Sequence, residues 1–172
     1  MFKIYKDTYN VQTERGIITN SLTVKVGDTV AAESGFLTNA TVSTAGNVYV
    51  LGVVVGFSKL NGEVYPATGQ DTSVTPNQVT VASDNQTVGK ICAVYIPIHA
   101  EQSWEADFSA ARGTTSTSDL NWQFFDLSDC RTIGESTVTA TAIGGKQVVV
   151  VADGTTTSKG IVRFRKALYI NR

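Results

Sequence analysis

Histidine occurs once in this chain, as His99 between Ile98 and Ala100, so any Ser-His-Asp or Cys-His relay would have to run through a single ring. No Gly-x-Ser-x-Gly elbow accompanies it, and His99 reads as a structural or surface residue. Cysteine occurs twice, at Cys92 and Cys130, too sparsely for a disulfide framework or a zinc knuckle. Cys92 lies in the apolar run 90–98 and reads as a small buried hydrophobe. Neither His-x₃-His, Cys-x₂-Cys nor an EF-hand loop occurs, so no metal or other cofactor is expected. Asp126, Asp129 and Glu135 fall in one loop-like stretch and could offer oxygen ligands, but acids so placed usually cap turns or face water. Glu101, Glu105 and Asp107 could be nominated as a carboxylate pair for glycoside chemistry, yet nothing in the sequence gathers them into a pocket.

Long apolar runs are missing as well. The longest, 48–55, is broken by Gly52, far short of the roughly 18 residues of a spanning helix, so no membrane segment is expected. The first ten residues lack the apolar stretch and small-residue cleavage site of a secretory signal, which implies synthesis in a cytoplasm. Charge of one sign is not in excess. Fourteen basic and fifteen acidic residues give a net charge of −1, without the positive surplus that phosphate-backbone binding needs, so nucleic acid is not an expected partner. Gly52-Val53-Val54-Val55-Gly56 has glycines but no Lys-Ser/Thr, which excludes a phosphate-cradling loop; these glycines suit close packing or a bulge within a buried strand. No catalytic machinery is assembled by these residue types, and the chain is not expected to be an enzyme.

What the chain does hold is period-two alternation rich in β-branched residues, with 42% hydrophobic and 17% charged positions. This predicts an all-β protein, with a compact barrel-like or sandwich-like core, a second small β-region and at most one short helix. Candidate strands cover 21–26, 48–56, 62–67, 78–82, 89–98, 137–143, 146–152 and 161–171. Val26-Gly27-Asp28, Asn61-Gly62, Gly144-Gly145 and Asp153-Gly154 supply turn chemistry between them, Gly144-Gly145 marking the clearest hairpin. A helix of one or two turns is expected at Ser118–Phe125, capped by Ser118.

Three regions follow from composition. Residues 1–20 read either as an edge strand or as an extended arm that docks on a neighbour by strand addition, with Phe2, Ile4, Tyr5 and Tyr9 as its contact residues. Residues 21–99 form a first β-domain. A soft boundary near residue 100, where the β-branched pattern fades, opens a second β-region over 100–172. In that region Arg163 and Arg165 flank Phe164; on a strand the arginines share one face, which suits a charged exterior or a protein interface more than base stacking. Trp104 and Trp122, near Phe108, Phe124 and Phe125, suit a core or a subunit interface, with a carbohydrate-stacking platform as the alternative.

The run Thr23-Val24-Lys25-Val26-Gly27-Asp28-Thr29-Val30 reads as strand, tight turn, strand. Over about eight residues it resembles the Val-x-Val-Gly-Asp-x-Val turn of biotinyl and lipoyl carrier domains. The carrier lysine hairpin has no counterpart here. The longer cadence, continuing through Ser34-Gly35-Phe36 and Val50-Leu51-Gly52-Val53-Val54-Val55-Gly56, resembles the decoration, or cement, proteins of tailed-bacteriophage capsids. Trp104-Glu105-Ala106-Asp107-Phe108, then 115–120 and Asp126-Leu127, are similar to the second β-region of some phage virion proteins. That resemblance implies a structural protein made in the host cytoplasm, a homotrimer on the outer capsid surface that ties major capsid protein subunits together. It implies capsid contact through Met1–Gln12, with the strands around Val53–Val55 as core or trimer seam. The alternative within the virion is a head-fibre or tail-tip module that binds host glycans through Trp104 and Trp122.

Overall fold

The computed structural model describes residues 1–6, 12–40, 50–72, 75–99, 102–109, 124–125, 127–134, 148–153 and 158–164. Strands dominate them, in the order β1 (Lys3–Lys6), β2 (Glu14–Ile17), β3 (Thr23–Lys25), β4 (Thr29–Glu33), β5 (Phe36–Asn39), β6 (Gly52–Lys59) and β7 (Gln78–Thr80). Then follow β8 (Ile91–Pro97), β9 (Ser103–Phe108), β10 (Phe124–Phe125), β11 (Thr132–Ile133), β12 (Val148–Asp153) and β13 (Lys159–Phe164). The expected all-β class with little helix is what the chain adopts.

Five strands stand in the row β2-β8-β6-β4-β5, each antiparallel to its neighbour. The two ends of the row meet. Ile18, just after β2, bridges Leu37 of β5 in parallel, and the Thr19 N–H donates to the Leu37 carbonyl at 2.8 Å. Gly16 permits this closure, since a Cβ there would stand 2.8 Å from Leu37 Cγ. The row is therefore a small barrel. Strand alternation sorts its side chains: Val30, Val54 and Tyr95 join an interior cluster, while their neighbours Ala31, Val53 and Ile96 belong to a second cluster outside. The ribbon of β3 and β7 adds Val24 and Val79 to the interior cluster.

The second cluster lies between the barrel wall and an open sheet with the order β1-β9-β13-β12-β10, in which β11 also pairs with β9, in parallel. Trp104, Ala106 and Phe108 of β9 are buried, while Glu105 and Asp107 between them are only half-buried. This strand occupies part of the segment expected to lose its β pattern; the alternation is present, but it is carried by Trp, Ala and Phe rather than by β-branched residues. Trp104 meets Phe164 edge-on at 6.4 Å, and Phe2 lies 5.4 Å from the same ring. Burying each such aromatic contributes roughly 1.5–3 kcal/mol. Near residue 100 the chain passes from β8 of the barrel to β9 of the open sheet, and one buried cluster draws on both layers.

Two expectations need correction. Residues 62–67 form no strand, only a bridge from Val64 to Ser58 and a bond from the Tyr65 N–H to the Phe57 carbonyl at 3.0 Å. Phe124–Phe125 is strand β10, paired with β12, so the helix expected at Ser118–Phe125 does not reach its last residues; 118–123 lie outside the described residues. The described helix is instead a π-helical turn at Asn85–Gly89, closed by the Lys90 N–H donating to the Asn85 carbonyl at 2.7 Å. The Gly144-Gly145 hairpin and the Asp153-Gly154 turn glycine also lie outside the described residues.

Candidate interaction surface

The expected turn at Val26-Gly27-Asp28 is the anchor for the N-terminal strand. Gly27 has φ +84°, the left-handed region that favours glycine, and the Asp28 N–H donates to the Lys25 carbonyl at 3.0 Å. A Cβ on Gly27 would collide with the Met1 side chain. Without one, Met1 and Phe2 settle against the turn, and the Phe2 N–H donates to the Gly27 carbonyl at 3.1 Å. The Met1 amine pairs with Asp107 at 2.5 Å; burial pulls its pKa down, against the pull of that carboxylate. From this anchor β1 runs antiparallel to β9, with Lys3 opposite Glu105 and Ile4 opposite Trp104. The register slips at Tyr5. β1 is the outermost strand of its sheet, and among the described residues no strand pairs with its other edge.

Near β1 is an irregularity in the barrel wall. Between Val54 and Gly56 the β6–β8 register shifts, so Val55 is the extra residue of a bulge and stands 41% exposed. Gly52 serves the close packing expected of it, because a Cβ there would lie 2.4 Å from the Ile96 carbonyl oxygen. Both glycine roles read from the sequence are realised. Between β1 and the bulge a crevice of about 280 Å³ opens, lined among others by Ile4, Val53, Val55, Ile96, Trp104 and Asp71. That is just below the roughly 300–1,000 Å³ of small-molecule sites and suits one or two side chains. Ile4 is 38% exposed and with Val55 borders the crevice, and Tyr5, its neighbour on β1, is 61% exposed.

A buried electrostatic joint lies on the other side of the same turn. Asp28 is 1% exposed; its Oδ1 accepts from Arg131 Nη1 at 2.6 Å and its Oδ2 from the Lys25 N–H at 2.9 Å. Burial pushes the Asp28 pKa up to about 6 and outweighs the opposing pull of Arg131. The Thr29 N–H and hydroxyl both donate to the Cys130 carbonyl, at 2.7 and 3.0 Å. The segment 128–131 is thereby fastened to the barrel. Burial, helped by Asp28, pushes the Cys130 thiol up to about 12, and burial raises the Cys92 thiol too, so neither supplies a thiolate at neutral pH.

The expected contact residues are dispersed. Phe2 is 2% exposed and belongs to the core, whereas Ile4 and Tyr5 are on the open edge. Arg163 is half-buried and donates from Nε to Ser103 Oγ at 3.2 Å. Trp104 is 1% exposed, so it has no face to offer a sugar ring. Tyr9, Trp122 and Arg165 lie outside the described residues, as do Glu101, Asp126 and Glu135. Glu105 pairs with Lys159 at 3.1 Å, and Asp129 accepts from Arg131 and Thr132 as a turn cap. His99 is exposed. Among the described residues no three His, Cys, Asp or Glu side chains gather as metal ligands, and no helix is long and apolar enough to cross a membrane.

Lys3 falls within the segment Met1–Gln12 read as contacting, and Val55 within strands read as core or trimer seam. What sequence reasoning missed is that Val55 alone of 53–55 turns outward; its signal was the glycine-framed pentapeptide, where a bulge exposes one apolar residue. No family model, no curated protein and no solved structure matches this chain.

Proposed function

We propose that this chain is a structural protein that works by surface contact, specifically a decoration protein on the outer face of a tailed-phage capsid, where a homotrimer ties neighbouring major capsid protein subunits together. The observation that supports the reading is the exposure of Ile4, Tyr5 and Val55 near a strand edge that no strand pairs among the described residues, on a barrel and sheet that share one core. Such an edge is an attachment feature. The cadence of residues 21–56 supports the same reading through its resemblance to cement proteins. Three weak footprints held by one trimer gain avidity, since the second and third contacts form at high effective concentration.

Co-sedimentation with expanded capsids of the encoding phage tests the proposal, alongside a light-scattering mass. Saturable binding by a species of three times 18.3 kDa is the expected result. A protein that stays monomeric and remains in the supernatant at saturating capsid removes it.

A further inference from the structure

We infer that the turn 128–131 is a proton-operated latch on the barrel, closing on Asp28 when that carboxyl takes up a proton and swinging off it more readily when the carboxyl is charged. The inference is independent of the decoration reading and needs no partner.

The turn is built to move as a unit. Within it the Ser128 N–H donates to the Thr132 carbonyl at 2.9 Å, and the Asp129 carboxylate accepts from the N–H groups of Arg131 and Thr132. Its flanks, Leu127 and Ile133, bridge one another and belong to the buried cluster between the layers. The tip is tied to the barrel through Cys130 and Arg131. The Cys130 carbonyl accepts from the Thr29 N–H and hydroxyl, and Arg131 Nη1 donates to Asp28 at 2.6 Å. These bonds can break while those inside the turn hold.

The load on the latch is electrostatic. Asp28 and Arg131 are both drawn largely out of water, and Arg131 Nη2 is buried without an acceptor among the described residues. A buried ion pair so incompletely bonded does not recover its desolvation. Opposing that cost at Asp28 are the charges of Arg131 and Lys25, the Lys25 N–H and the Cys130 thiol. Around them stand the Met1 amine, which feels Asp107, Lys159 and Arg131, and the Asp129 carboxylate, which acts on Cys130. Burial outweighs the opposing influences and holds the Asp28 pKa at about 6, against an ordinary 3.8. With the turn swung away, water reaches the carboxyl and its pKa falls back toward the ordinary value. Closing therefore binds a proton. Opening is least favourable below about 3.8, becomes easier as pH rises, and levels off above about 6.

The two cysteines of the full chain read the latch. Cys130 lies in the turn, whereas Cys92 is fully buried in β8 of the barrel. Both thiols are modified with dithiodipyridine, which reacts in acid as well as at neutral pH, and peptide mapping follows each site. Each rate is divided by that of an unstructured cysteine peptide at the same pH. Cys130 should react faster than Cys92, and its normalised rate should be at least roughly tenfold higher at about pH 7.5 than at about pH 4.5. Asp28→Asn should bring that ratio close to one. Thr29→Val, which removes the hydroxyl bond to the Cys130 carbonyl, should raise the rate at both pH values and leave the ratio intact. Equal rates at the two wild-type cysteines would mean that the tip opens only with the whole fold. A wild-type ratio near one would mean that the proton does not govern opening. Either result overturns the inference.

Discussion

Asp28 shows what a single buried charge does to the molecule. Its pKa stands at about 6 because desolvation exceeds the attraction of Arg131, whereas the ordinary value is 3.8. The folded chain therefore binds a proton more readily than the unfolded chain in the window between those values. Stability from this group is complete below about 3.8 and is lost as pH rises through about 6. Denaturant titrations of wild type and Asp28→Asn across that window should differ in slope, with the variant flatter between pH 4 and pH 6. A wild-type profile no steeper than the variant's would contradict the buried-carboxylate account. Trp104 acts through packing rather than charge. It is nearly inaccessible and stacks edge-on against Phe164, so Trp104→Ala should cost about 3–5 kcal/mol in urea unfolding.

At the scale of elements, the π-helical turn at Asn85–Gly89 is a clamp between two barrel strands. The Asn85 side chain donates to the carbonyls of Ile18 and Ile91, at 2.6 and 3.1 Å, and accepts from the Ile91 N–H at 2.8 Å. Asn85→Ala removes the side-chain partner of the Ile18 carbonyl and the Ile91 N–H, while the Ile91 carbonyl keeps its bond from the Ile18 N–H, and should lower stability by about 1–3 kcal/mol. Faster amide exchange at Ile18 and Ile91 should accompany the loss. This turn was not legible in the sequence, because its helix-like bonds serve one side chain rather than an apolar stripe. The all-β class was legible from alternation, as were the turn at Gly27-Asp28 and the close packing at Gly52. β9 was obscured because its inward residues are Trp, Ala and Phe, types whose strand preference is weak or shared with other roles. Half of the candidate surface could be read: Ile4 and Tyr5 fell in a segment already suspected of contact. Phe2 could not be told from them, since which side of a terminal strand faces inward depends on the partner strand, a hundred residues away in sequence. The same is true of Trp104, whose burial is decided by Phe164 of β13.

For the whole molecule, the decisive fact is that one cluster gathers Phe2, Val53, Ile96, Trp104 and Phe164 from all along the chain. Heat and denaturant should accordingly unfold the barrel and the open sheet in one transition, seen alike by far-ultraviolet dichroism and tryptophan fluorescence. A fragment of residues 1–99 leaves Val53, Ile96 and Ile98 without their partners on the open sheet. It should bind a hydrophobic dye such as ANS strongly, where the full chain does not. Two separated transitions, or a fragment with no dye signal, would show that the layers are independent.

The pairing of β1 with β9 also fixes an order of events at the ribosome. Met1 meets Asp107, 106 positions later, so at ~5–20 residues per second the leading residues wait on the order of 5–20 s for their seat to be translated. The barrel strands from Glu14 to Pro97 are all made within that interval. Residues made a hundred positions ahead of their seat are thus late to find their place, and Phe2 and Ile4 need shelter on the nascent chain until Trp104 arrives.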